Sequence, residues 1–578
     1  MKKESFTPII RNLLEQIYPD QVEENFLLRI QNLLDDYREY LPVTPPTILN
    51  QSDSFLITYG DQFQKSGEQP LQTLRQFCKD YLQGIVTGIH ILPFFPYTSD
   101  DGFSVKDYLQ VNPELGSWDD IEQIAADFRL MVDAVINHCS SQHIWFQKFL
   151  AGEQPFTDYF ICVSPQTDLS MVIRPRTSPL LTPFETTHGV KYLWTTFSAD
   201  QIDLNFKNQE LLLEILKILL EYVRHGAQVI RLDAVAYLWK EVGTPCIHLP
   251  QTHWIVQLFR AILNIFAPYV YLITETNVPH VENLSYFGDG HNEAQMVYNF
   301  ALPPLVLHAI QRGDASYLTK WASHLSLPSS QVTFFNFLAS HDGIGLNPVS
   351  GILPETEINL LIETAQQLGG YVSCKNNTDG TQTPYELNIN YFDALGDPSL
   401  KISMDTHVRR FAVAQAIMLA LQGVPGIYVH SLFGSRGWNE GVKITGQKRT
   451  INRQKFSDTA IRHELCTNGS LRNRVFAEYS RLLKARASTI AFHPQAAQKV
   501  LDLSRQLFAL ERISPQSEQR VLCLHNVSNQ ELTVQIPREY HNLQLKDLLH
   551  PNLPVFSSLP SIQLSPYQAL WLEIKDGK

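Results

Sequence analysis

The sequence predicts an α/β protein: a (β/α)8 TIM barrel with a small domain inserted after its third strand and an antiparallel β domain at its carboxyl end. Three observations predict it. Eight short, almost wholly apolar runs alternate with longer helix-like patterns; parallel strands buried on both faces read this way, and eight of them fit a closed barrel. The stretch from Cys139 to about Leu204 is too long for a plain strand-to-helix crossover. After about Pro494 apolar and polar residues alternate, as in half-buried antiparallel strands.

In chain order, residues 1–50 read as a helical extension, with helices over Pro8–Ile17 and Glu24–Tyr40 closed by LPVTPPT. The barrel takes residues 51–138 and 205–490. Its runs are SFLITYG (54–60), GIHILPF (88–94), LMVDAVINH (130–138), QVIRLDAV (228–235), YLITETN (271–277), MVYNF (296–300), TFFNFLASHD (333–342) and GVPGIYVH (423–430). Residues 139–204 form the insert, rich in Pro and Thr at VIRPRTSPLLTPFETTHG. Residues 491–578 carry RVLCLHNVSN, ELTVQIP and QALWLEI, the strands of the β domain.

Composition narrows the function. A formal net charge of -12 argues against nucleic-acid binding through a general basic field, while leaving room for a local basic pocket. Seven scattered cysteines without a CxxC pair argue against a disulfide framework or a zinc site and fit the reducing cytoplasm. The first twenty residues read as an amphipathic helix and not a signal peptide. The most apolar stretch, Phe411 to His430, is broken by Gln415, Gln422 and Pro425, so no membrane span is expected. No cofactor or metal is expected.

In a barrel of this kind the site lies at the carboxyl ends of the strands, so the informative residues are the polar ones that end apolar runs. These are Asp61, Asn137–His138, Arg231 and Asp233, Glu275, and His341–Asp342. A single aspartate in a strand–helix loop is readily a helix cap. Asp233, Glu275 and Asp342 meeting at one mouth are different, because clustered buried carboxylates need partners and must push at least one pKa up. Two carboxylates about 5–5.5 Å apart perform retaining glycoside chemistry.

The blocks DAVINH (133–138), RLDAV (231–235), ITET (273–276) and ASHDG (339–343) resemble the α-amylase superfamily, glycoside hydrolase family 13, over essentially the whole chain, from Leu56 to the β domain. LITYGDQF, GIHILPFFP, DDGFSVKDY and RTINRQKF resemble sucrose phosphorylase-type members. IRPRTSPLLTPF, WTTFSADQIDLN, ITETNVPH and FNFLASHDGIGLNP resemble the glucosylglycerate phosphorylase branch more closely, with small departures at Ala236 and Pro245. The resemblance implies a glucoside and inorganic phosphate as substrates. Asp233 matches the nucleophile, Glu275 the general acid/base, and Asp342 the acid that holds sugar hydroxyls. Arg231 keeps the nucleophile ionised, and His138 and His341 donate to glucose hydroxyls. Asp61 and Arg453 match a pair closing the far side of the glucose pocket by gripping the 4-OH, and Tyr108 stands where related enzymes have a sugar-stacking ring or a histidine. Asn137 matches a position that binds calcium in some amylases.

Phosphate is already anionic, so its site needs cations more than a base. Candidates are Arg174 and Arg176 in the insert, Lys240 after the nucleophile strand, and Lys375 in the KNNTDG loop, whose turn near Asp379–Gly380 reads as a mobile acceptor loop. The alternatives left open are other acceptors (sucrose, a sucrose phosphate, glucosylglycerol), a plain α-glucoside hydrolase, and a non-catalytic carbohydrate-binding protein.

Overall fold

The computed structural model describes residues 6–43, 46–377, 380–399, 401–541, 543–552, 556–557 and 560–575. All eight expected barrel strands form: β1 Phe55–Thr58, β2 Gly88–Ile91, β3 Arg129–Ala134, β4 Ala227–Leu232, β5 Tyr271–Thr274, β6 Met296–Tyr298, β7 Thr333–Asn336 and β8 Val424–Tyr428. Each pairs in parallel with its chain neighbours, and β1 pairs with β8 to close the barrel. Their residues are nearly all buried, which is why they read as unbroken apolar runs. Phe55 and Phe335 fill the interior at the cost of side chains on neighbouring strands: a Cβ on Gly88 would meet the Phe55 ring at 2.4 Å, and one on Gly426 would meet Phe335 at 2.3 Å.

The amino-terminal helices Phe6–Ile17 and Glu24–Tyr37 lie on the outer helical layer. Arg29 holds Glu210 through both guanidinium nitrogens, at 2.5 and 2.6 Å, and Tyr18 donates to the Phe206 carbonyl. The apolar 411–430 stretch divides into a barrel helix, Met404–Ala420, and strand β8. No helix among the described residues is long and apolar enough to cross a membrane.

Between β3 and β4 the chain forms a short antiparallel pair, His138–Ser140 with Gln201–Asp203, and a hairpin, Leu181–Thr186 with Gly189–Trp194. The hairpin packs on a small apolar cluster around Val172, Leu180 and Trp194. The carboxyl-terminal residues build a six-stranded antiparallel sheet and a two-stranded one over a separate apolar cluster. Between β7 and β8 a hairpin, Tyr371–Asn376 with Gln382–Asn388, rises beside the barrel mouth. Of the turn expected to make it mobile, Asp379 lies outside the described residues.

Candidate active site

Two registers assemble the centre. Arg231 on β4 and Asp233 just past its end are two residues apart and face the same way. Thr274 of β5 pairs with Leu232, and Glu275 N–H donates to the Leu232 carbonyl, so Glu275 emerges beside Asp233. On the other side Asp133 of β3 pairs with Arg231. Arg231 therefore sits under the site with carboxylates on both flanks. Its Nη1 bonds Asp133 and also lies 2.8 Å from Asp233 Oδ1, while its Nη2 lies 3.9 Å from Glu275 Oε2. Asp133 is further held by His90 at 2.7 Å. Asp342 follows β7 and completes the three acids, all of which line one cleft.

The electrostatics separate the three. Burial pushes Asp233 up to about 6, against the pull of Arg231 and with help from Asp133 and Asp342. Burial pushes Glu275 up to about 7, again opposed by Arg231 and reinforced by the charges on Asp233 and Asp342. Asp342 goes the other way: burial opposes its ionisation, but the guanidinium groups of Arg449 and Arg453 hold it well below the usual range. Because Arg231 bonds Asp233 directly and only approaches Glu275, a single negative charge shared by these neighbours settles on Asp233 and the proton on Glu275. The Ala234 N–H also donates to Glu275 Oε2 at 3.2 Å, from a residue held at φ 50°.

The inner end of the cleft is lined by His138, His341, Phe103, Gln201 and Asp100. Phe103 stacks on the His341 ring at 4.8 Å, and burial lowers His341 to about 3, so it meets a ligand as neutral imidazole. His138 is also lowered by burial, and its Nε2 lies 2.9 Å from the Phe103 carbonyl. Two expectations need correction. Asp61 does not line the cleft: the chain after β1 turns it toward Lys455, at 2.5 Å, while Arg453 bonds Asp101 at 2.6 Å and the His341 carbonyl at 2.9 Å. Tyr108 does not line the cleft: it is buried, donating its hydroxyl to the His138 carbonyl, and Phe103, stacked on His341, is the aromatic residue of this segment that lines it.

At the outer end Arg176 lies over the Phe197 and Tyr385 rings, 5.7 and 5.4 Å from their centroids. Among the described residues no carboxylate is ion-paired with it. The other three proposed cations stand elsewhere. Arg174 is outside the cleft lining, and Lys375 donates to Asn347. Lys240 is buried, 2.6 Å from Asp203 and 2.8 Å from the Asn137 oxygen. Lys240 is thus buried outside the cleft lining, its ammonium turned to two buried oxygens and away from any phosphate in the cleft. That arrangement also does not fit calcium at Asn137, since an ammonium already takes the oxygens a metal would need.

Sequence reasoning passed over Arg449, which bonds Asp342 at 2.6 Å and grips Glu386 through two nitrogens at 3.0 and 2.7 Å. It also passed over Asp100, Phe103 and Gln201. Arg449 lies in the 3-10 segment Lys448–Asn452 that ends just before Arg453, and Asp100 and Phe103 lie in DDGFSVKDY. The signal was present in blocks already singled out, but which side chain a loop aims inward is not a periodic property.

The alpha amylase catalytic domain profile matches residues 59–344. The glucosylglycerate phosphorylase of Spirochaeta thermophila is 50% identical over 97% of this chain and 98% of that one. The Escherichia coli glucosylglycerate phosphorylase is 44% identical over 98% of this chain and 99% of its own. Among solved structures, sucrose 6F-phosphate phosphorylase from Thermoanaerobacter thermosaccharolyticum superposes with a TM-score of 0.71 at 24% identity, covering 82% of this chain and 94% of that one; this likeness is one of fold.

Proposed function

The chain belongs to the α-amylase family, glycoside hydrolase family 13, and on that premise we propose that it is a retaining α-glucoside phosphorylase that converts 2-O-α-glucosylglycerate and phosphate to α-glucose 1-phosphate and glycerate. The observation that carries the substrate is the identity of 44 to 50% with glucosylglycerate phosphorylases over nearly the full length of both chains.

The steps follow from the geometry. Arg231 occupies Oδ1 of Asp233, so Oδ2 is the oxygen that attacks the anomeric carbon. The bond from that carbon to the glycerate oxygen breaks as Glu275 passes its proton to the departing oxygen, leaving a β-glucosyl ester on Asp233 and a carboxylate on Glu275. Asp342, kept anionic by Arg449 and Arg453, faces the positive charge that develops on the sugar ring. Glycerate leaves and phosphate takes its place. A phosphate oxygen displaces Asp233 from the anomeric carbon, its hydroxyl proton returns to Glu275, and two inversions give net retention. Arg176 receives the phosphate, and the glycerate carboxylate in its turn, because its guanidinium fork lines the cleft without an ion-paired acid among the described residues. Asp100, which lines the cleft beside Arg453, closes it behind one glucosyl unit.

The seven cysteines are all free and suit a reducing cytoplasm, where we place the enzyme. The test is a product assay with glucosylglycerate and phosphate. Glucose 1-phosphate and glycerate in equal amounts are expected. Free glucose alone identifies a hydrolase, and turnover of sucrose or glucosylglycerol in preference to glucosylglycerate rejects glycerate as the acceptor.

A further inference from the structure

Behind the inner wall of the cleft lies a carboxylate that the steps above leave unused. Asp200 stands at the end of the inserted segment, just before the strand Gln201–Asp203. Its Oδ2 accepts from Thr98 Oγ1 at 2.5 Å, Ser99 Oγ at 2.6 Å and Ser104 Oγ at 2.9 Å. Its Oδ1 accepts from the hydroxyl and the N–H of Ser141, at 2.5 and 3.3 Å. The donors Thr98, Ser99 and Ser104 bracket one short loop, and Ser141 ties the same carboxylate to the start of the insert.

What the bracket encloses is unusual. Asp100, Asp101 and Gly102 follow one another at φ 53°, 48° and 110°. Left-handed backbone is unfavourable for residues with a Cβ, and two in succession persist only where the surroundings impose them. Within the loop the backbone bonds Thr98 N–H to the Ser104 carbonyl and Phe103 N–H to the Asp100 carbonyl. The loop also carries the inner wall: Asp100 and Asp101 meet Arg453, and Phe103 stacks on His341. The hydroxyl-rich bracket has one common acceptor, and it comes from the insert.

We propose that Asp200 is a positioning residue that sets the length of the donor pocket, holding residues 98–104 in their left-handed form so that the wall stays closed behind a single glucosyl unit. This rests on the reading of the cleft as a glucosyl site, but not on which acceptor is used. The insert thereby governs both ends of the cleft, the outer one through Arg176 and the inner one through Asp200.

The experiment uses α-glucosyl fluoride and α-maltosyl fluoride as donors, because fluoride release requires neither glycerate nor phosphate. Wild type is expected to use the first and discriminate against the second. Asp200→Asn should raise the KM for α-glucosyl fluoride about 10-fold or more with a smaller change in kcat, as misplaced contacts do. It should also narrow the preference for glucosyl over maltosyl donor by a similar factor. Ser99→Ala, which removes one donor and leaves the hub in place, should move both quantities in the same direction by less, and it carries the test if Asp200→Asn fails to fold. Unchanged KM and unchanged donor preference in folded variants would overturn the proposal. So would a lowered melting temperature with the donor preference intact, since that marks a merely structural role. Failure of wild type to make glucose 1-phosphate counts against the phosphorylase reading alone, because donor discrimination is scored separately.

Discussion

Arg231 donates to Asp233 at 2.8 Å but comes no closer than 3.9 Å to Glu275. That difference of about one bond length decides which of two adjacent acids is charged and which holds the proton. Two substitutions read it out. Glu275→Gln should lower phosphorolysis of glucosylglycerate by about 10²–10⁴-fold, the usual weight of a general acid, and spare α-glucosyl fluoride, whose leaving group needs no proton. Asp233→Asn should abolish turnover of both donors. Single-turnover kinetics with each donor checks the pair.

The same two groups set the pH profile. Asp233 must be ionised, and its value near 6 makes activity fall as pH drops through that region. Glu275 must be protonated, and its value near 7 makes activity fall as pH rises through that region. The kcat/KM profile for phosphorolysis should therefore be a narrow bell whose limbs belong to the pair jointly. In Glu275→Gln, assayed with the fluoride, the alkaline limb should vanish and the acidic limb remain.

Arg176→Ala should raise the KM for phosphate by about 10- to 100-fold, since hydrogen bonds to charged groups contribute about 1.5–3 kcal/mol. Hydrolysis of the glucosyl enzyme by water should be little changed, so the ratio of free glucose to glucose 1-phosphate rises. Lys375→Ala, which removes a partly buried ammonium engaged with Asn347 outside the cleft lining, should change phosphate KM by less than about 2-fold. Product ratios at a series of phosphate concentrations decide both.

How far the sequence reaches is visible in particular residues. The barrel was legible because strands buried on both faces must be apolar, so each run from Phe55 to Tyr428 announced itself. Asp233, Glu275 and Asp342 stood out because each interrupts such a run at its end. Asp61 obeyed the same rule and yet faces Lys455, because the direction of a side chain past the last ladder bond depends on the loop that follows. Arg449 and Phe103 sit on segments with no repeating pattern, and only their partners, Glu386 and His341, reveal them.

Lys240→Met should destabilise the fold by about 3–5 kcal/mol, the usual consequence of leaving one member of a buried ion pair alone. Asp203, fully buried, would keep its bonds to the Thr196 N–H and hydroxyl and lose its counter-ion. Lys240→Met combined with Asp203→Asn removes the stranded charge and should recover part of the loss. Thermal melting of the single and double variants measures the coupling.

The tie that Lys240 makes between Asn137 and Asp203 bears on the medium in which this protein works. A divalent ion bridging those oxygens would be contested by the very co-substrate the enzyme consumes, since orthophosphate is itself a ligand for calcium. A cation delivered by the chain cannot be stripped out in that way. At this junction between barrel and insert phosphate therefore finds no ion to chelate in place of the Lys240 ammonium.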